Sequence, residues 1–351
     1  MTAPGREERV LSAVAARRER VNAALDDYLP VEHPHRLYEA ARYLLEAGGK
    51  RLRPTVLLLV SEALLDVEPL STDYTTFPTV FEDGPAEIDV MAAAVAVEII
   101  QSFTLIHDDI MDDDDLRRGV PSVHHAYDLE TAILAGDTLY SKAFEVMLAT
   151  GSQPTRSLRA LAMLATTCTE ICEGQALDVE FEGQSDVGVE AYLDMIERKT
   201  ASLYAASAGL PTVLLGADQE TTDAMVQYGR SIGRAFQIQD DVLDLTVPSE
   251  TLGKRRGSDL IEGKRTLITL HARDNGVDVD GLLPDAPADA ISETDIDEAV
   301  SRLEEAGSIQ FASEKAHDLA EQGKDELAVF PENEARSTLS DLADYLVERG
   351  Y

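Results

Sequence analysis

The sequence predicts an all-α fold. Apolar and amphipathic segments recur at helical spacing along the whole chain. Ala, Leu and Glu, all good helix formers, are among the most abundant of its 351 residues, and Arg far outnumbers Lys. No segment shows the apolar–polar alternation of a half-buried strand.

Taken in order, Arg6 to Leu29 is amphipathic and ends at Pro30. Leu37 to Ala47 forms a second helix that Gly48-Gly49 stops, and Pro54 to Leu65 resumes the pattern. Residues 66–89 carry Pro, Thr, Gly and acids around Tyr74-Thr75-Thr76-Phe77-Pro78, and read as a long surface loop. Val90 to Met111 is apolar and Ala-rich, the mark of a buried helix. Leu129–Ala149, Thr155–Leu177, Val189–Gly209 and Thr221–Asp244 continue the helical series. Residues 275–293 are acidic and rich in Pro, Ala and Gly, which predicts a second exposed loop. Asp278-Val279-Asp280-Gly281 looks like part of a calcium loop, but Gly276 and Pro287 occupy its first and twelfth ligand positions and exclude it. Asp295 to Val347 supplies two or three more amphipathic helices.

Composition narrows the class. At 44% hydrophobic residues the chain can bury a large core, and its length allows one large domain or two ordinary ones. Its 66 acidic and 30 basic residues give a formal charge of −36. Such a surface repels nucleic acid and anionic membranes, so neither is an expected partner. Arg outnumbers Lys, of which there are only Lys50, Lys142, Lys199, Lys254, Lys264, Lys315 and Lys324. An acid-rich, lysine-poor surface points to a high-salt cytosol, where screening makes the charge tolerable. The lysines that remain are then enriched at functional positions. Lys50, Lys199, Lys254 and Lys264 lie in Gly-, Thr- or Arg-containing motifs, whereas Lys142, Lys315 and Lys324 read as helix-surface residues. Cys168 and Cys172 read as buried reduced thiols, with neither a disulfide framework nor a zinc site around them. Met1 to Val14 lacks a signal-peptide core and no 18-residue apolar run occurs, so a cytoplasmic protein without stable membrane insertion is expected.

Two acidic runs share the spacing DDxxD: Asp108-Asp109-Ile110-Met111-Asp112 and Asp240-Asp241-Val242-Leu243-Asp244. On a helix, residues i and i+4 share a face with i+1 alongside, so each run can aim carboxylates from one patch. One copy in so acidic a chain is weak evidence, since a solvated charge run explains it. Two copies, following Phe103-Thr104-Leu105-Ile106 and Ala235-Phe236-Gln237-Ile238, are not decoration. Carboxylates beside core-facing segments need a cation or partner to offset desolvation. Facing each other across a cavity, the patches would present Mg²⁺ to a diphosphate through oxygen ligands.

Cations accompany both runs. Gly48-Gly49-Lys50-Arg51-Leu52-Arg53-Pro54 combines a flexible turn with three cations at a helix start. Leu116-Arg117-Arg118-Gly119 follows the first run. Gly253-Lys254-Arg255-Arg256-Gly257-Ser258-Asp259 and Gly263-Lys264-Arg265-Thr266-Leu267 follow the second, and Lys199-Thr200 completes the set.

These motifs, with Gly174-Gln175 and Asp178 and in this order from about Leu37 to Thr269, resemble the trans-isoprenyl diphosphate synthases (polyprenyl synthetases) of the archaeal geranylgeranyl kind. The resemblance implies one domain over residues 1–351, a bundle of ten or more helices around a central cavity, and a homodimer. It assigns Lys50, Arg53, Gln101 and Arg118 to the diphosphate of isopentenyl diphosphate. Many relatives carry His at the Gln101 position. Arg117, Lys199 and Lys264 would hold the allylic diphosphate with Lys254 beside it, and Thr200 and Gln237 would direct oxygen dipoles at the carbocation. Asp108, Asp112 and Asp240 are the strongest Mg²⁺ ligands, supported by Asp109, Asp241 and Asp244, with three ions implied per active site. Register on Leu116-Arg117-Arg118-Gly119 makes Asp112 the third ligand of the first run and leaves Asp113 to Asp115 mostly solvated. His107 reads as a satisfied helix residue.

The implied reaction is head-to-tail condensation of isopentenyl diphosphate with allylic diphosphates, for ether-lipid or carotenoid synthesis. Phe103 lies five residues before Asp108, roughly 7–8 Å along the helix, where it would limit the hydrocarbon tunnel. With small Thr104 beside it, the expected product is geranylgeranyl diphosphate; farnesyl and farnesylgeranyl diphosphate are the alternatives. A class I terpene cyclase fits less well, because its second metal motif mixes Asn, Ser or Thr with Glu. A non-catalytic acidic scaffold would explain the charge but not the placement of the lysines. The end of the chain, Glu348-Arg349-Gly350-Tyr351, lacks the basic tail that some relatives fold over the site.

Overall fold

Helices make up nearly all the regular structure in a computed structural model of the chain, which describes residues 5–80, 84–182, 184, 187–249, 255–287 and 290–348. The first ten helices are α1 Arg6–Tyr28, α2 His35–Glu46, α3 Leu52–Leu65, α4 Val90–Met111, α5 Val123–Ala126, α6 Leu129–Leu148, α7 Pro154–Glu182, α8 Val189–Ile196, α9 Ser202–Leu215 and α10 Gln219–Thr246. Of these, only the one-turn α5 was not anticipated. Further helices span Ser258–Ile261, Leu267–Asp274, Glu293–Glu305, Ser308–Glu326 and Glu334–Glu348. Caps fix several starts. Asp89 accepts from Ala92 N–H at 2.9 Å and Asp128 from Thr131 N–H at 2.7 Å. Thr266 and Ser292 form capping boxes with Thr269 and Asp295.

The chain divides into two compact units. The first comprises Met1–Cys168, Leu203–Val226 and Leu327–Asp341. Its central element is α4, whose residues Val90 to Ile100 are all buried. By length and composition α4 is the one helix among the described residues that could cross a membrane, yet 78% of its apolar window is buried inside the protein. Small residues on α6 (Ala132, Ala135, Gly136, Ala143) let the two helices approach closely. A Cβ on Gly136 would lie 2.2 Å from His107 Nε2, so any larger residue there has to displace the His107 ring. The second unit comprises Thr169–Ser202, Gln227–Glu326 and Leu342–Tyr351. Ile232, Ala235, Ile238, Val242 and Leu245 of α10 form its buried stripe. Gly323 passes close to that stripe, its Cβ position 3.2 Å from Ile232.

Two expectations need correction. Residues 66–89 are not simply a surface loop, because Tyr74 and Phe77 are buried and Phe77–Pro78 (β1) pairs antiparallel with Glu87–Ile88 (β2). Glu62 anchors the segment: its carboxylate accepts from the Tyr74 hydroxyl and from Leu70 N–H, and pairs with Arg17. Burial and the Glu62 charge together push the Tyr74 phenol well above its ordinary range. Cys168 is buried but Cys172 is exposed. Asp113 to Asp115 stay mostly solvated as expected, with Asp113 and Asp115 exposed, although Asp114 pairs with Arg117 and Asp115 with His125.

Both Arg17 and Glu62 are only 1% exposed, so neither charge tolerates losing its partner. Glu62→Gln should destabilise the protein by about 3–5 kcal/mol in high-salt denaturant titrations, whereas the double replacement Arg17→Met/Glu62→Leu should recover most of the loss.

Candidate active site

The first acidic run closes α4. Asp112 is its C-cap, with N–H bonded to Asp108 O at 2.8 Å. Asp108 is half-buried and Asp112 exposed, one helical turn apart on the accessible side. Asp109 points inward and is fully buried. Arg117 satisfies it, donating from Nε to Oδ1 at 2.6 Å, and reaches Asp114 at 2.7 Å. Burial pushes the Asp109 carboxyl up to about 6 against the opposing pull of Arg117. For Arg117, burial works against the charge, but Asp109 and Asp114 outweigh it and raise the guanidinium further. Near neutral pH this is a charged pair, and Asp109 Oδ2 is buried with no hydrogen-bond partner.

A tight hairpin presents the arginines. Leu116–Arg117 (β3) pairs with Val120–Pro121 (β4), and Arg118-Gly119 form the turn at φ 55° and 77°. Two consecutive left-handed residues make a type I′ turn, which is why glycine follows the arginine pair. Arg118 donates to Leu44 O at 2.8 Å and to Gly48 O, and lies 3.7 Å from Glu98. A Cβ at Gly49 would sit 2.8 Å from its guanidinium carbon. Glu98, 2% exposed, also binds buried Arg51 at 2.5 Å. Sequence reasoning passed over Glu98, although it is the single charge in the apolar stretch Val90–Ile106. Of the other residues assigned to isopentenyl diphosphate, Lys50 is exposed, Gln101 is half-buried on α4, and Arg53 lies over the Tyr204 ring at 4.4 Å.

Phe103 is buried on α4 within an aromatic ladder. It meets Tyr140 of α6 edge-on at 5.3 Å and His107 at 5.0 Å, and Tyr140 in turn meets Phe144 at 5.3 Å. His107 Nε2 lies 3.3 Å from Ile133 O.

In the second unit, α10 carries the other run. Asp240 is half-buried, while Asp241 and Asp244 are buried. Asp241 accepts from Tyr192 at 2.6 Å and from Gln237 at 3.0 Å. Burial holds its carboxyl well above the ordinary range, and the neighbouring Asp259 charge adds to the effect. Asp244 accepts from Ser258 Oγ at 2.8 Å and Asp259 N–H at 3.2 Å, which fixes the turn into Ser258–Ile261. A π-helical segment, Glu197–Ala201, presents Lys199 and Thr200. Lys199 binds Asp178 at 2.5 Å, and Thr200 donates to Gln237 Oε1 at 2.9 Å. Lys264 reaches Glu262 at 2.9 Å and Asp259 at 3.9 Å. Of these groups, Asp178, Tyr192, Lys199, Thr200, Gln237, Asp241, Asp259 and Lys264 line one cavity of about 90 Å³. Tyr192 was not singled out from sequence, and Gly174 and Asp259 entered there only as motif positions without an assigned role. Lys254 lies outside the described residues.

The acidic donors fit a hard divalent cation. Every candidate ligand is a carboxylate oxygen, and a buried Asp109 oxygen without a partner is a group that a nearby positive charge stabilises. Asp108, Asp112 and Asp240 are the accessible members of the two runs, while Asp109, Asp241 and Asp244 are turned inward onto protein donors.

The sequence profile of the polyprenyl synthetase family matches residues 34–302. The chain belongs to that family. A geranylfarnesyl diphosphate synthase of the halophilic archaeon Natronomonas pharaonis is 66% identical over 98% of this chain and 99% of its own. The solved geranylgeranyl pyrophosphate synthetase of the archaeon Geoglobus acetivorans superposes with a TM-score of 0.84 at 39% identity, over 96% of this chain and 99% of that one. A polyprenyl synthase from Caulobacter crescentus, solved with calcium and isoprenyl diphosphate, gives a TM-score of 0.81 at 31% identity over the full length of both. The synthetase profile thus draws on residues of both compact units.

A Cβ at Gly174 would lie 2.2 Å from Lys199 N, inside the π segment. Gly174→Ala should therefore shift Lys199 and Thr200 and lower kcat/KM in a prenyl-transfer assay by about 100-fold.

Proposed function

We propose that this chain is a Mg²⁺-dependent trans-prenyltransferase that condenses isopentenyl diphosphate head-to-tail with allylic diphosphates, acting as one cytoplasmic catalytic domain and as a homodimer. The observation that carries the reading is the paired use of each DDxxD run: accessible carboxylates at Asp108, Asp112 and Asp240, with their inward neighbours locked onto Arg117, Tyr192, Gln237 and Ser258. Membership of the polyprenyl synthetase family supports it.

Bound Mg²⁺, as three ions, would neutralise the allylic diphosphate and make it a competent leaving group. Asp108, Asp112 and Asp240 would hold these ions, and Asp109, Asp241 and Asp244 would keep the ligand helices in register. Arg117, Lys199 and Lys264, with Lys254, bind the allylic diphosphate directly. Lys50, Arg53, Gln101 and Arg118 take the diphosphate of isopentenyl diphosphate, whose double bond attacks the allylic cation. Thr200 and Gln237 are already hydrogen-bonded to each other, so their oxygen dipoles are preorganised toward positive charge. The released diphosphate accepts the final proton, and no side-chain base is required.

Geranylgeranyl diphosphate is the product we infer, because Phe103 is braced by Tyr140 rather than standing alone. The 66% identical geranylfarnesyl diphosphate synthase favours a second reading, in which one more isoprene unit is added.

Incubating the protein with Mg²⁺, isopentenyl diphosphate and an allylic primer in high salt should yield longer prenyl diphosphates; no elongation would refute the reading. Asp108→Asn and Asp240→Asn should each lower turnover by at least about 100-fold, as expected when charge stabilisation worth several kcal/mol is lost. Phe103→Ala should lengthen the products, and an unchanged chain-length distribution would remove Phe103 as the limit.

A further inference from the structure

We propose a second metal site in the first unit, formed by Asp113, His124 and His125, for a borderline divalent cation such as Zn²⁺ or Co²⁺. One ligand atom from each of the three residues lies within 4.8 Å of the others, and the imidazole rings are 4.3 Å apart between centroids. Both nitrogens of His124 are buried and have no hydrogen-bond partner. His124 itself is half-buried, but ring nitrogens shut off from water with no partner are costly, and coordination through one of them removes much of that cost.

One further feature marks a built site. Asp115 lies 3.2 Å from His125 Nε2, the kind of outer carboxylate that orients a metal-ligating histidine. Asp113 and His125 are exposed, so the site opens to solvent and leaves a position for water.

The ligand chemistry separates this site from the aspartate runs. Imidazole nitrogens suit Zn²⁺, Co²⁺, Ni²⁺ or Cu²⁺, whereas Mg²⁺ prefers oxygen donors alone. The site also has a structural consequence. Asp113 follows α4, and His124 and His125 lie on α5, so an ion there brackets the Leu116–Pro121 hairpin that carries Arg117 and Arg118. It would fix the hairpin from outside, while the Asp109–Arg117 pair fixes it from within.

The test is calorimetric titration of the full chain with Zn²⁺ in a Mg²⁺ excess that saturates the oxygen sites, repeated with Co²⁺ while following visible absorption. One Zn²⁺ should bind per chain, with Co²⁺ showing the intense bands of low-coordinate nitrogen and oxygen ligation. Hydrogen exchange across residues 113–121 should slow when Zn²⁺ is added. His125→Ala and Asp113→Asn, both at exposed positions and expected to fold normally, should each weaken Zn²⁺ binding at least about tenfold; His124→Ala should abolish it. Unchanged Zn²⁺ affinity in the His125→Ala and Asp113→Asn proteins would overturn the proposal, as would absence of Zn²⁺ binding in excess Mg²⁺.

Discussion

The cost of burying a carboxylate organises this protein. Asp109, Asp241 and Asp244 are each shielded from water beside an accessible or half-accessible carboxylate of the same run. None could be held there without donors, and the donors are what fix the surrounding chain. Arg117 ties the hairpin to α4 through Asp109. Tyr192 and Gln237 tie α8 and α10 together through Asp241, and Gln237 passes the order on to Thr200. Ser258 and the Asp259 amide set the chain after α10 through Asp244. Each inward aspartate therefore positions cations or dipoles, and its outward neighbours stay at least partly open to solvent.

The same economy governs the basic residues. In a chain of formal charge −36, isolated cations are quickly neutralised, so a cation kept for a ligand has to be positioned by protein acids. Glu98 does this for Arg51 and Arg118 inside the first unit, and Asp178 does it for Lys199 in the second. Lys142 illustrates the alternative, pairing with Glu145 three residues away on its own helix. That pair is surface electrostatics of little consequence at high salt.

Much of this was legible in the sequence because the signals were periodic or punctuated. Val90–Met111 emerges at the predicted boundaries, since a long apolar run between an aspartate cap and an acidic cluster admits little else. The DDxxD spacing correctly announced carboxylates on shared helix faces. It did not announce that one member of the first run and two of the second turn inward, because that depends on which tertiary donors arrive. Glu98 and Tyr192 were missed for the same reason: each acts through a partner 20 to 49 residues away. Residues 66–89 misled because turn-rich composition conceals two buried aromatic rings and a buried glutamate that anchors them. The π segment left no mark in the sequence pattern, yet it sets where Lys199 and Thr200 emerge.

The division of labour within each acidic run is the central claim, and metal binding tests it most directly. Mn²⁺ bound to the protein with inorganic pyrophosphate can be counted by electron paramagnetic resonance in the wild type and in single Asp→Asn variants. Replacing Asp108, Asp112 or Asp240 should remove bound Mn²⁺, whereas replacing Asp109 or Asp244 should preserve its number while lowering the unfolding temperature. The opposite pattern, with Mn²⁺ lost on replacing Asp109 or Asp244 and retained on replacing Asp108 or Asp240, would contradict the account.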